Sequence, residues 1–273
     1  MAISMQVNRH VFTTRVFDSG ALTVLASVIH QFNEPGKYIV SIRRDDTVLG
    51  STRFEVVADG PAQLNIDLAA GGIPGKANPF DRSARVAKAG ASAKDCHCGG
   101  GGGGGAHAAS AQAVPAGAPP PKIVAPGGYV QFHVSHGEGK LSAQVRKERT
   151  DKVLFDTTLL GPGDLFAVSL LAPATFTLAN TAGTATGTVT VTFSKEVAAR
   201  IKQTTPVFAD VSKAAFTPKD LQVSSGQGLV FRVQDAARVV VTQQTDPTPQ
   251  TRDTGRPATR RIWRVPPAKP RQA

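Results

Sequence analysis

Short apolar segments bounded by turn residues run through most of this chain, and this pattern constrains the fold more than any other feature. Tyr38, Val40 and Ile42 recur at a period of two, as in a β-strand with one buried face. Turn sequences such as the Asp-Ser-Gly at 18–20 separate one segment from the next. The 273 residues include 27 glycines and 19 prolines, which favours turns and strands over long helices. The sequence therefore predicts an all-β protein of short antiparallel strands.

A change in composition divides the chain. Residues 71–121 are rich in glycine, alanine and proline, and have almost no apolar surface to offset the entropy of ordering. We interpret this stretch as a linker between tandem antiparallel β-sandwich modules. The predicted parts are a β-sandwich module at 1–70, the linker at 71–121, a second β-sandwich module at 122–195, a partial β module at 196–247 and a basic Pro-rich tail at 248–273.

An internal repeat relates the second module to the partial one. Four residues recur 99 positions later, the first set being Val124, Gly127, Phe132 and Val134 and the second Val223, Gly226, Phe231 and Val233. The shared pattern is a strand that is entered through a glycine turn and carries Phe and Val on one face. Residues 1–70 and 207–265 are each small for a sandwich. They either complete one sandwich together, within the chain or between subunits, or form separate small modules.

Two segments resemble parts of a cupredoxin. Residues 216–231 are similar to its N-terminal half, where a Phe-x-Pro turn and a glycine turn frame the opening strands, and residues 171–191 are similar to its C-terminal hairpin. The resemblance implies a cupredoxin-like or immunoglobulin-like sandwich. Cupredoxins bind copper through a His from the first half and a Cys, a His and usually a Met from the hairpin loop. The matching loop at 179–186 contains none of these residues, which argues against a type 1 copper site.

One cluster of soft metal ligands lies in the glycine-rich stretch. Cys96, His97 and Cys98 supply two thiols and an imidazole, and His107 follows the glycine run. Such ligands suit Cu(I) or Zn(II). A closed zinc site needs four ligands held by a fold, and a linker would have to become ordered to coordinate the metal. Copper or zinc binding, a reactive thiol pair and no chemical role therefore all stay open, and the leading expectation is that the protein has no cofactor.

Much of the net charge of +11 comes from the tail, where residues 248–273 hold seven basic residues and one acidic residue. The favoured interpretation is a solvated tail, or one that binds an acidic partner protein; nucleic-acid binding is the weaker alternative. Residues 262–265 are also predicted to form a last strand that docks on a sheet edge. The candidate contact residues are Arg260, Arg261, Trp263 and Arg264.

Motifs of the common catalytic sites are missing from the sequence. There is no Gly-x-Ser-x-Gly elbow or His-Glu-x-x-His helix, and the glycine run does not end in Gly-Lys-Ser or Gly-Lys-Thr as a phosphate-binding loop does. His133 and His136 are interpreted as surface or edge histidines, whereas His10 and His30 have no acidic or thiol neighbours in sequence and are given no role. We expect a non-catalytic structural or protein-interaction protein that presents β-sandwich modules to partner proteins or to copies of itself.

Two expectations concern location. No apolar run approaches the roughly 20 residues of a membrane-spanning helix, so no span is predicted. The first residues show neither a basic leader nor a cleavage site, which predicts a cytoplasmic protein; an exported chain whose leader has been removed would have the same features and is the alternative.

Overall fold

The computed structural model describes residues 10–71, 122–150, 152–193 and 205–244. Regular structure in these ranges is almost entirely β, which confirms the predicted all-β sandwich class, and none of their helices is long and apolar enough to cross a membrane. The two helices are α1 (His10–Thr13) and α2 (Leu68–Gly71). The strands are β1 (Val16–Asp18), β2 (Ala26–Phe32), β3 (Gly36–Arg44), β4 (Thr47–Val56), β5 (Gln63–Asp67), β6 (Ile123–Val124), β7 (Gly128–His133), β8 (Ser142–Lys147), β9 (Val153–Asp156), β10 (Leu165–Ser169), β11 (Thr175–Asn180), β12 (Thr186–Thr192), β13 (Val207–Val211), β14 (Phe216–Thr217), β15 (Asp220–Ser224), β16 (Gly228–Val233) and β17 (Val239–Gln243).

These strands form three sheets. The first outer sheet has the order β6-β4-β3-β8-β9, the central sheet β14-β13-β16-β10-β2-β7-β5, and the second outer sheet β1-β17-β11-β12-β15. Phe32 of β2 lies 5.2 Å from Tyr38 and 5.0 Å from Phe54, measured between ring centroids, so the first outer sheet packs on the β2 end of the central sheet. Buried apolar side chains of all three sheets belong to one core.

The alternation read from the sequence is present in β3. Tyr38, Val40 and Ile42 are all buried, and the residues between them are half-buried. This is the pattern that a strand with one face in the core requires.

Two halves of the chain, β1 to β8 and β9 to β17, have the same topology, and we call them the first and the second repeat. In the first half β2 pairs with β7, β5 pairs in parallel with β7, and β4 pairs in parallel with β6. In the second half β10 pairs with β16, β13 pairs in parallel with β16, and β12 pairs in parallel with β15. The match at 99 positions runs from β6 into β7 and, at the equivalent place, from β15 into β16. Gly127 and Gly226 that precede β7 and β16 both adopt positive φ, 77° and 82°, and Phe132 and Phe231 are both fully buried.

The first strand of each repeat lies against the last strand of the other. Strand β1, from the start of the first repeat, pairs with β17 at the end of the second. Strand β9, from the start of the second repeat, pairs with β8 at the end of the first. In addition, β2 and β10 are antiparallel neighbours in the central sheet. Three strand pairs of the described residues therefore join the two repeats.

This pairing divides the chain differently from the predicted modules. Within residues 122–195, β8 pairs with β3, whereas β11 and β12 pair with β17 and β15. Of the N-terminal segment 1–70, β1 is the strand that pairs with the segment 207–265, and it does so within the chain. Periodicity shows which face of a strand is buried and does not select its hydrogen-bonded neighbour. The predicted linker at 71–121 lies outside the described residues apart from Gly71, and so does the tail at 248–273.

Candidate functional site

Strand β9 borders a cleft of about 450 Å³ at the edge of the first outer sheet. In the described part of the chain β9 pairs with β8 on one side, and its other side is an open sheet edge. Val153 and Leu154 on this strand are 42% and 38% exposed, and Leu159 in the following turn is 53% exposed. Apolar side chains at an open strand edge are typical of a surface that pairs with another chain.

A histidine and an aspartate form the polar floor of the cleft. Because Leu165 of β10 pairs with Ile29 of β2, Asp164 stands opposite His30. The His30 Nδ1 and Asp164 Oδ1 atoms are 2.6 Å apart, and the backbone N–H of Gly161 donates to Asp164 Oδ2 at 2.7 Å. A carboxylate accepts and does not donate, so Nδ1 carries a proton and donates it to the hydrogen bond with Asp164. Asp164 is almost fully buried, while a quarter of the His30 side chain is exposed.

Aromatic packing fixes the position of His30. Its ring stacks on Phe155 of β9 with centroids 4.4 Å apart, and meets Phe32 edge-on at 4.6 Å. Phe155 stacks in turn on Phe132 at 5.3 Å. The polar floor and the edge strand are therefore held by the same aromatic cluster, and both are positioned by the core.

Asp156 supplies a second carboxylate to the cleft. Its Oδ1 accepts hydrogen bonds from the N–H and hydroxyl of Thr158 at 2.8 and 2.7 Å, and its Oδ2 accepts one from the Gln144 amide at 3.1 Å. Among the described residues no Lys or Arg forms an ion pair with Asp156 or Asp164. Among these residues the basic partner of Asp164 is the His30 imidazole and Asp156 has none, in a chain with a net charge of +11.

The start of the first repeat contains an equivalent of β9. The sequence Val-Phe-Asp-Ser at 16–19 matches Leu-Phe-Asp-Thr at 154–157, which is 138 positions later. Ser19 N–H donates to the Val239 carbonyl and the Ser19 hydroxyl accepts from Val239 N–H, at 3.0 and 3.1 Å. Thr157 makes the same two bonds to Ala143, both at 3.0 Å. Asp18 and Asp156 therefore occupy equivalent positions.

The two equivalent aspartates differ in their partners. Asp18 forms a bidentate ion pair with Arg238, with its two oxygens 3.1 and 2.8 Å from Nε and Nη2. Hydrogen bonding to Asp18 and its negative charge raise the pKa of Arg238, and burial opposes this. Val239 and Ala143 are equivalent, because they bond to Ser19 and Thr157 in the same way. The residues before them are Arg238 and Ser142, so Ser142 is the equivalent of the arginine that binds Asp18. Asp156 therefore has no guanidinium at the corresponding place.

The residues predicted to bind a metal or a partner through the tail belong to parts of the chain that the structure does not describe. Cys96, His97, Cys98 and His107 lie outside the described residues, and so do Arg260, Arg261, Trp263 and Arg264. Within the described ranges no group of three or more His, Cys, Asp or Glu side chains is arranged to hold a metal ion.

The histidine predictions have mixed outcomes. His30, which was given no role, forms part of the cleft floor. His133 is half-buried instead of facing solvent, and its buried Nδ1 has no hydrogen-bond partner among the described residues. His136 is also half-buried, with Nδ1 2.7 Å from the Ser135 hydroxyl.

Sequence reasoning missed the cleft, although two signals were present. One is the repeated Phe-Asp pair, at Phe17-Asp18 and Phe155-Asp156. The other is the run of three apolar residues from Val153 to Phe155, because a strand with one buried face must expose at least one of three consecutive apolar side chains.

A comparison with known protein families, curated proteins and solved structures gives no match to this chain. Function is therefore inferred from the geometry of the cleft.

Proposed function

We propose that this chain is a non-catalytic structural or interaction protein that presents the edges and surfaces of its β-sandwich to partner proteins or to further copies of itself. An immunoglobulin-like or cupredoxin-like frame suits this role. The observation that carries the proposal is the open edge of β9, where Val153, Leu154 and Leu159 expose apolar side chains beside a cleft.

The backbone of β9 is suited to adding a strand. Thr157 N–H donates to the Ala143 carbonyl, so Thr157 and Phe155 direct their backbone groups toward β8. The register of β8 and β9 shifts between Phe155 and Val153, so Leu154 has no residue opposite it on β8 and its N–H and C=O are not part of that ladder. A partner segment can use these groups for main-chain hydrogen bonds while covering the Leu154 and Leu159 side chains. Since β9 has four residues, the added segment is short.

The surroundings of His30 support a non-catalytic role. Its Nδ1 is hydrogen-bonded to Asp164, as in many acid–base pairs. Within the described residues, however, His30 makes no hydrogen bond to a serine, threonine or cysteine side chain that could act as a nucleophile. We therefore assign the pair to recognition.

Native mass spectrometry of the full chain, purified from its own host without chelators, tests the proposal. We expect the unaltered chain to carry a partner or to form an assembly, and the Leu154→Lys variant to lose it, because a lysine on an edge strand opposes strand pairing. Tyr129→Lys is the matched control. Tyr129 is 45% exposed, but it lies on β7 and is paired on both sides, with Gln31 of β2 and Gln63 of β5, so this variant should keep the assembly.

Three results would contradict the proposal. One is a monomer at every concentration with no partner recovered. A second is stoichiometric copper or zinc that disappears on replacing Cys96 and Cys98 by Ser, which would assign the chain to metal binding. The third is nucleic-acid binding that falls steeply with salt and is lost when the chain is cut after Asp246.

A further inference from the structure

We infer that the cleft beside β9 binds a guanidinium or ammonium group, carried by a Lys or Arg side chain on an extended segment of a partner protein. This inference rests on the proposed function and names the chemistry of the partner. Three independent features of the cleft support it: the kind of hydrogen-bonding groups it offers, the equivalent site in the other repeat, and its apolar walls.

The polar side chains of the cleft accept hydrogen bonds. Asp156 and Asp164 offer carboxylate oxygens, and the His30 Nδ1 is already engaged by Asp164. The Thr158 hydroxyl already donates to Asp156, and Gly161 N–H already donates to Asp164. No Lys or Arg is among the described residues that line the cleft. A ligand that fits must therefore bring donors and positive charge, and a cationic side chain brings both.

The equivalent site in the other repeat shows what fills such a position. There the Arg238 guanidinium binds both oxygens of Asp18. Arg238 passes over Gly20, where an added Cβ would lie 2.7 Å from its Nε. Thr158 stands at the position of Gly20, so its side chain occupies the path that Arg238 takes.

The walls of the cleft suit the stem of a long cationic side chain. Val153, Leu154 and Leu159 are partly exposed, and Pro162 continues the apolar surface. Lysine and arginine lay their methylene groups along such surface while the charged end reaches a polar partner. Leu154 also offers its backbone to an added strand. One extended segment can thus use the strand edge and the carboxylates together.

The test is a titration of the full chain followed by amide NMR shifts. Butylguanidinium and its neutral analogue butylurea are the first probes. The capped peptide acetyl-Thr-Val-Arg-Val-Thr-amide and the same peptide with citrulline in place of arginine are the second. We expect saturable shifts of the Leu154, Gly161 and Asp164 amides with both cationic probes, tighter binding of the arginine peptide than of butylguanidinium, and no saturation with either neutral probe.

Variants of the two carboxylates show whether they carry the binding. Asp164→Asn and Asp156→Asn should each weaken binding of the cationic probes by about tenfold. Asp59→Asn, at an exposed turn residue, is the matched control and should leave binding unchanged. Asp156 is less buried than Asp164, so its variant gives the answer if Asp164→Asn disturbs folding, which the dispersion of the same amide spectrum reports.

Equal shifts with charged and neutral probes, or no saturable shift at all, would overturn the inference. So would a loss of binding in Asp59→Asn as large as in the cleft variants, or an arginine peptide that binds no better than butylguanidinium. The probes need no natural partner, so failure here is distinguishable from failure of the proposed function. Strand pairing at β9 is tested separately by the Leu154→Lys variant.

Discussion

At the scale of single residues, Tyr38 shows how burial changes the chemistry of a side chain. Its ring stacks on Phe54 with centroids 5.0 Å apart, and its hydroxyl donates to the Glu34 carbonyl at 2.6 Å. Burial, and next to it the charge of Glu34, raises the pKa of Tyr38 above its ordinary value of 10.0, because both disfavour the phenolate. The folded core therefore favours the neutral phenol of Tyr38 over the phenolate.

A titration of Tyr38 follows from this environment. The chain has two tyrosines, so a Tyr129→Phe variant leaves Tyr38 as the sole source of tyrosinate absorbance. We expect its midpoint above pH 10 in the folded protein and a return to about 10 in denaturant. A raised pKa means that the contribution of Tyr38 to stability is complete below its unfolded pKa and is lost as pH rises through the folded value. An identical midpoint in both states would contradict this account.

At the scale of secondary structure elements, β1 is the strand whose role differs most from its place in the sequence. Val16, Phe17 and Asp18 pair with Thr242, Val241 and Val240 of β17. Phe17 is buried, while Val16 is 46% exposed. A three-residue strand at the start of the chain therefore closes the sheet of the second repeat.

Replacing Phe17 by Ala tests this role. We expect the free energy of unfolding to fall by about 3 to 5 kcal/mol, since a buried phenyl group is lost. Faster amide hydrogen exchange should appear at Leu178 and Val241 of the second repeat. The control Val16→Ala, at an exposed position, should change stability by less than about 0.5 kcal/mol. Faster exchange confined to β2 and β7 would show that β1 supports its own repeat instead.

At the scale of the whole molecule, the two repeats share their strands. Strand β10 lies between β16 of its own repeat and β2 of the other, while β1 and β9 pair across the repeats. Phe166 on β10 is fully buried and stacks on Phe231 with centroids 6.0 Å apart. Neither repeat can unfold without breaking the sheet of the other.

Calorimetry should therefore record one unfolding transition, with the calorimetric and van't Hoff enthalpies equal. Phe166→Ala, which removes a buried phenyl group and costs about 3 to 5 kcal/mol, should move this single transition to lower temperature without splitting it. Independent tandem modules would instead give two transitions, of which the variant would shift one.

The sequence by itself determined the local features. Alternation identified the buried face of β3 through Tyr38, Val40 and Ile42, and the match at 99 positions marked two strands that prove structurally equivalent. Both signals are local. Alternation reflects the period of two within one strand, and the repeat reflects the backbone preference of the glycine turn that precedes a strand.

Tertiary structure alone decided which strands meet. It placed β1 beside β17 and brought His30 to Asp164, which lies 134 positions away in the chain. A half-buried strand can pair equally well with several others of the same pattern, so its partner is chosen by packing across the whole core. The cleft depends on that choice, because His30, Asp156 and Asp164 lie on or beside strands of different sheets or different repeats.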